Sequence, residues 1–426
     1  MADILLLTLG SRGDVQPFVA LGAALTARGH SVTLSTGKGF ESLIEAHGLT
    51  AAPLSFDPQA AMEQPEIKAA MESPRGWLKA FRASQDVMQR QLDETWSIAQ
   101  AVRPRVIVHH PKAILAPYAA RALGAVALPG FLQPAYVATG GFPNPLLPLP
   151  DLGPFGNRLS GRAMVAAMRL AYGMLLRKWF ARHPEETAWP GLDVLAGYRP
   201  GGGAVPRLHA HSRHIVPKPP DWGPEDQVTG YWFLPEESAW KPPADLMRFL
   251  EAGPPPVYVG FGSMPKRQGD NAVSAILGAL ARTKTRAILA KGWGALAEAA
   301  ASDQIHIVDS LPHDWLLPRC RAVVHHGGAG TTHAGLRWGR PTLICPLFGD
   351  QPFWGRQVAR LGAGPAPLPL KRLTEDRFAA ALPELHSAQV RHKAQVLGER
   401  IAEERGAEAA ADLIAPLCRE PAAGRD

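Results

Sequence analysis

Short apolar runs alternate with longer helically spaced segments along most of the chain. Residues 4–9 are an apolar run, as expected for a strand covered on both faces. Pro17 suits the first turn of a helix, and residues 18–28 continue it up to Gly29. A second strand is predicted at 31–35, a helix at 40–47 closed by Gly48, and a third strand at 49–54. Residues 55–103 read as mainly helical and amphipathic. Residues 105–109 read as another buried strand, followed by a helix near 113–123. The Pro/Gly-rich stretch 130–160 is expected to be loop. Residues 163–176 form an apolar helix, punctuated by Arg169 and flanked by Arg162 and Arg177. That helix is either packed on its domain as an amphipathic surface helix, or a helix at the mouth of an acceptor site or in contact with a membrane.

The alternation breaks at PKPPDWGP, residues 217–224, and prolines at 235, 242, 243 and 254–256 extend the irregular zone. It then restarts, with strands at 257–261, 286–290, 305–308, 321–325 and 342–346. Helices lie at 272–282 and 331–338, and a final helix at 387–404 has a second segment to 417. Strands alternating with helices imply parallel sheets with right-handed crossovers. The predicted fold is α/β, with two doubly wound Rossmann-like units. The boundaries are 1–216 for the first domain, 217–245 for a linker region, 246–386 for the second domain, 387–417 for terminal helices and 418–426 for a tail.

Composition removes several function classes. Forty-six per cent hydrophobic residues across 426 exclude disorder as the main character. Three cysteines, Cys320, Cys345 and Cys418, supply neither a CxxC pair nor a closed disulfide framework. The net charge of +7 lies wholly in residues 1–220, which carry 22 Lys and Arg against 15 Asp and Glu. A basic half suits an anionic lipid or an acidic small molecule, and leaves peripheral membrane contact open. Nucleic acid is not expected, because no basic block or nucleic-acid motif stands out. The longest uncharged stretch, 122–150, holds six prolines, which argues against a membrane-crossing helix. With no basic start and too short an apolar run at the N-terminus for a secretory signal, a cytoplasmic protein is expected.

The richest chemistry lies in HHGGAGTTHAGLRWGRPTLICPLFGDQPFWGRQ, residues 325–357. A strand runs into Gly327, Gly328 and Gly330, and a helix follows. Glycines let backbone approach a ligand, and a helix start offers free N–H groups at a positive dipole end. Thr331 and Thr332 add hydroxyl donors, and His325 or His326 a ring N–H. This constellation predicts a phosphate site. Ser263, after the strand 257–261, is a second candidate phosphate contact. Neither half has GxGxxG or GxxxxGK[ST], which disfavours NAD-type and P-loop ATP sites. His209, His211 and His214 lack a Cys or carboxylate partner in sequence and are not expected to hold metal.

Two motifs, GSRGDVQPFVALG at 10–22 and HHGGAGTT…PLFGDQPFWG at 325–355, carry a resemblance across essentially the whole chain. The chain resembles family 1 glycosyltransferases of the GT-B type, in the branch of sterol glucosyltransferases and bacterial macrolide and glycopeptide glycosyltransferases. The resemblance implies two domains facing across a cleft, the first for the acceptor and the second for a nucleotide-sugar donor. It implies that His325 contacts the diphosphate and that Gly328, Gly330 and Thr331 belong to the same cradle. Ser263 lies at the matching phosphate loop, and Asp350 and Gln351 match the pair that holds the sugar hydroxyls. The terminal helix is expected to cross back to the first domain. Plant relatives stack the base on a tryptophan where this chain has Ser310, and carry Glu on the ribose where it has His333. Trp293 either shapes the base pocket or belongs to the core, and UDP against TDP stays open.

Transfer requires a base for the acceptor hydroxyl and positive dipoles for the departing diphosphate. Asp14, in the first strand-to-helix loop, is the candidate base; as an N-cap it would instead serve only the helix. His110, after the strand 105–109, is expected on the same edge, tuning or sharing the proton transfer. Ser11 is a phosphate or acceptor contact, or a turn serine. No carboxylate cluster suits Mg²⁺, so neither metal nor cofactor is expected. The expected activity is inverting transfer of a hexose, glucose from UDP-glucose, to a hydroxyl of a sterol, polyketide, phenolic or lipid acceptor. The alternatives are a nucleotide-sugar epimerase and a non-catalytic activator that binds sugar nucleotide.

Overall fold

Apolar strands of about four residues must be covered by helices on both faces, and both halves of the chain meet that demand in the same way. The computed structural model describes residues 3–57, 74–186, 191–234, 240–261, 266–291, 302–309 and 311–419. The first domain runs β1 (Ile4–Leu7), α1 (Arg12–Thr26), β2 (Val32–Ser35), α2 (Glu41–Glu45), β3 (Thr50–Ala51), α3 (Pro74–Val102), β4 (Val106–His109), α4 (Ala116–Leu123), β5 (Val126–Phe131), α5 (Gly153–Arg182), β6 (Arg207–His209) and β7 (Asp226–Val228). Its strands form one parallel sheet in the order β3-β2-β1-β4-β5-β6-β7.

The second domain runs α6 (Ala244–Glu251), β8 (Val257–Gly260), α7 (Lys266–Arg282), β9 (Ala287–Ala290), β10 (Ile305–Val308), α8 (His313–Leu316), β11 (Ala322–His325), α9 (Ala329–Arg337), β12 (Thr342–Ile344), α10 (Gln351–Leu361) and α11 (Glu375–Leu385). Its parallel sheet is ordered β10-β9-β8-β11-β12. Two further helices close the chain, α12 (Ala388–Ala402) and α13 (Gly406–Ile414). The first stays on the second domain, where Ala394, Leu397 and Ile401 pack with Leu336 and Trp354. The second joins the core of the first domain: Ala407, Ala410, Ala411 and Ile414 pack with Ile4, Leu6, Phe18 and Leu21. Arg28 holds α13 from the side, pairing with Asp412 at 2.6 Å.

Several expectations need correction. Helix α1 starts five residues before Pro17, which therefore lies inside it. The stretch expected to be loop from 130 conceals the end of β5 and the start of α5. Pro129 misleads there, because it sits where β5 passes its pairing from β4 to β6. The expected linker, 217–245, contains β7, so the first sheet extends to Val228. That strand is held by a buried ion pair, Arg207 to Asp226 at 2.6 Å, which no apolar pattern announces.

The docking of α13 is testable. Ile414→Ala should lower the unfolding free energy by about 2–4 kcal/mol, the cost of a buried cavity. Urea denaturation reads this, and an unchanged midpoint would mean that the helix is not part of that core.

Candidate functional site

In open α/β sheets a ligand crevice lies beyond the carboxyl ends of the strands, where the strand order reverses. The reversal falls between β1 and β4 in one sheet and between β8 and β11 in the other. Ser11, Asp14 and His110 lie at the first of these places and His325, Gly328, Gly330 and Thr331 at the second, while Asp350 and Gln351 follow β12.

After β1, the chain turns through Gly10 at φ +147° and enters α1 behind the N-cap Ser11. Asp14 is the third residue of the helix. Its Oδ2 accepts the Ser11 N–H at 2.9 Å. Its Oδ1 faces Lys112 Nζ at 3.2 Å and His110 Nε2 at 3.9 Å. The carboxylate thus caps the helix with one oxygen and presents the other to the edge of β4. A Cβ on Gly10 would lie 2.0 Å from Oδ2, so only glycine leaves room for this fold-back. Ser11 is spent as the cap, its Oγ 3.4 Å from Asp14 Oδ2.

His110 is fully buried, and its Nδ1 accepts the Lys112 N–H at 3.2 Å. The proton is therefore on Nε2, which has no hydrogen-bond partner and points toward Asp14 at a distance too long for a bond. Burial lowers the His110 pKa to about 3, so the ring is neutral at pH 7. Burial alone would raise the Asp14 pKa. The Lys112 ammonium, then His110 and the Ser11 N–H, outweigh it and hold the carboxyl below its ordinary value. Because His110 is neutral, Lys112 is the working cation. The sequence reading missed Lys112; its only signal was its position two residues after His110.

The second domain repeats the device. His325 ends β11, fully buried, and its Nδ1 accepts the Gly327 N–H at 3.0 Å. Its Nε2–H likewise has no partner, and burial holds its pKa well below 6.5. Gly327, at φ +98°, makes the turn that a side chain would block, since a Cβ would meet Ile344 at 2.6 Å. Gly328 is the N-cap of α9, so the first N–H groups of that helix, including those of Gly330 and Thr331, have no intrahelical acceptor. Thr331 is partly exposed, whereas the Thr332 hydroxyl donates to Gly328 O at 2.9 Å.

Asp350 caps α10 and accepts Trp354 Nε1–H at 2.8 Å. Burial raises its pKa to about 6, and Asp14 adds to the rise, so the two carboxylates share one field. Gln351 Oε1 accepts the N–H groups of Leu347, at 2.7 Å, and Phe348, at 3.2 Å, which leaves its NH₂ as the free end. His333 is committed elsewhere. It stacks on Tyr231 at 4.4 Å, its Nδ1 donates to Ala329 O, and its Nε2 accepts the Ser212 N–H across the domain boundary. It helps seal the two domains. His209 pairs with buried Asp226 at 3.0 Å and stacks on Trp222. Among the described residues no group of three or more His, Cys, Asp or Glu is placed to hold a metal ion. Ser263, Trp293 and Ser310 lie outside the described residues.

Residues 4–136 match the glycosyltransferase family 28 N-terminal domain, and residues 274–417 the erythromycin biosynthesis protein CIII-like C-terminal domain. The chain is 35% identical over 417 residues to sterol 3-beta-glucosyltransferase UGT80A2 of Arabidopsis thaliana, covering 95% of this chain and 64% of that protein. It is 34% identical to UGT80B1 of the same plant, covering 96% and 67%. The chain belongs to the GT-B glycosyltransferases. Within that family it sits with the sterol glucosyltransferases, while spanning about two-thirds of the plant proteins' length. The fold is also that of the glycotransferase of kitacinnamycin, with a TM-score of 0.71, 20% identity and coverage of 98% and 99% of the two chains.

For Asp350 the linkage sign is clear. Its folded pKa of about 6 lies above the ordinary 3.8, so the folded state holds the proton more tightly. That advantage is full below about pH 4 and is lost as pH rises through 6. Asp350→Asn should therefore be more stable than the parent at pH 7 by about 2–3 kcal/mol and equal to it at pH 4. Denaturant titrations at both values check this; a variant less stable at pH 7 would contradict the raised pKa.

Proposed function

We propose that this GT-B glycosyltransferase moves a hexose, glucose from a UDP-sugar, to the hydroxyl of a hydrophobic acceptor by one inverting, metal-independent displacement. One observation carries the reading. Each sheet ends at its reversal point in a buried neutral histidine with an unpartnered Nε2–H, and on the first-domain side a carboxylate stands 3.9 Å from it. An acceptor hydroxyl seated there accepts the His110 Nε2–H and donates to Asp14 Oδ1. Asp14 takes the proton as the acceptor oxygen bonds to the anomeric carbon and the bond from that carbon to the diphosphate oxygen breaks. An α-linked donor then gives a β-glycoside.

The leaving diphosphate gains one negative charge as its bond to the anomeric carbon breaks, and that charge needs stabilising. The reading assigns this to the α9 N-terminus, the Thr331 hydroxyl and the His325 Nε2–H. Asp350 and the Gln351 amide are assigned to the sugar hydroxyls. Asp14 is a weak base while Lys112 lies beside it. Lys112 is half exposed, and burial raises the carboxyl's basicity when the ammonium swings away. The activity of the plant relatives, sterol 3-beta-glucosylation, favours glucose and a sterol-like alcohol.

The test is product analysis with UDP-glucose and a panel of hydroxylated apolar compounds that includes a sterol. Glycoside plus UDP is expected. A new sugar nucleotide without acceptor, or binding alone, would overturn the proposal in favour of an epimerase or an activator. Asp14→Asn should retain donor binding and lose about 10²–10⁴-fold in kcat. Turnover near that of the parent with intact folding would remove Asp14 from the chemistry.

A further inference from the structure

The buried face of α5 packs Val165, Met168 and Tyr172 against Phe131 and Tyr136, and Tyr136 meets the His110 ring edge-on at 6.5 Å. Its outer face is unusual. Six large apolar side chains stand exposed among the described residues, and five are on this helix or the residue just before it. They are Leu152 at 46%, Phe155 at 81%, Leu159 at 57%, Leu170 at 68% and Met174 at 52%. With exposed Ala163 and Ala166 between them, they recur every three or four residues and form one stripe. From Leu152 to Met174 that stripe is about 33 Å long.

The charge on α5 is of one sign. It carries Arg158, Arg162, Arg169, Arg177, Lys178 and Arg182 and no Asp or Glu. At 100° per residue, Arg158, Arg162 and Arg169 fall along one border of the stripe, and Lys178 and Arg182 lie on its other side. Carboxylates on other elements pair with Arg158, Arg169, Lys178 and Arg182. Arg162 and Arg177 make no ion pair among the described residues. A cavity of about 280 Å³ opens at Arg162, with Arg169, Arg207 and Tyr136 also in its wall.

We propose that α5 lies flat in the headgroup layer of an anionic lipid bilayer, with its apolar stripe in the acyl boundary and its arginines on lipid phosphates. No helix among the described residues is long and apolar enough to cross a membrane, so the contact is a surface one. A second copy of the chain is a poorer occupant, because two such helices face to face would set cations against cations, and the flanking Asp193 and Asp221 are already paired with Arg169 and Arg158. Docking in this way sets α5 between the bilayer and the Tyr136–His110–Asp14 group, on the path of an acceptor dissolved there. Only that last point rests on the glycosyl-transfer reading.

Flotation of the full chain with vesicles, with no sugar nucleotide present, tests the surface by itself. Binding to phosphatidylcholine–phosphatidylglycerol vesicles is expected to exceed binding to phosphatidylcholine alone. The triple variant Phe155→Ser, Leu159→Ser, Leu170→Ser should bind on the order of a hundredfold less. The variant Arg162→Glu, Arg177→Glu should lose on the order of tenfold on the anionic vesicles. Circular dichroism and turnover of a water-soluble acceptor should match the parent in both. Equal vesicle binding by parent and triple variant would overturn the proposal. So would a parent that is a dimer in solution and becomes monomeric in the triple variant.

Discussion

The site depends on a backbone N–H donated to the Nδ1 of a buried histidine two residues earlier. It happens at both sheet reversal points, from Lys112 to His110 and from Gly327 to His325. Each bond fixes the ring and its tautomer, and each leaves the Nε2–H buried without a partner. An unpaired buried donor costs about 1–3 kcal/mol. Two such costs, placed where α/β folds hold ligands, are intelligible if ligand oxygens offset them. Because burial keeps both rings neutral, each works as a fixed dipole that does not need to change charge near pH 7.

Asp14 shows how a cap and the proposed base can share one residue. Helix capping uses one carboxylate oxygen and positions the other, so the role that seemed to compete with chemistry supplies the orientation for it. Gly10 makes room, and Lys112 keeps the group ionised against its burial. The terminal helix α13 then ties the first domain's core to the end of the chain, while His333, on α9, and Ser212 bridge the domains.

Strands with apolar runs, β1, β4, β8 and β11, and the glycine turn into α9 were legible because burial on both faces and backbone approach leave a direct signature. The short strands β6 and β7 were not, since their pairing rests on Arg207, His209 and Asp226, charged and polar residues that resemble a loop. Asp14, His110 and His325 were legible as candidates by their place at or just after the ends of β1, β4 and β11. Lys112 was not, because a lone lysine has no pattern, and neither was the commitment of Gln351 and His333 to backbone groups. Those partners come from other segments, and sequence spacing does not record them.

Histidine ring ¹⁵N spectroscopy tests the central claim most directly. The account predicts that in the free protein both His110 and His325 are neutral with the proton on Nε2. Adding UDP should move the His325 Nε2 signal and leave that of His110 in place, while an apolar alcohol acceptor should do the reverse. Protonation on Nδ1 in either ring, or a His325 Nε2 signal indifferent to UDP, would contradict it.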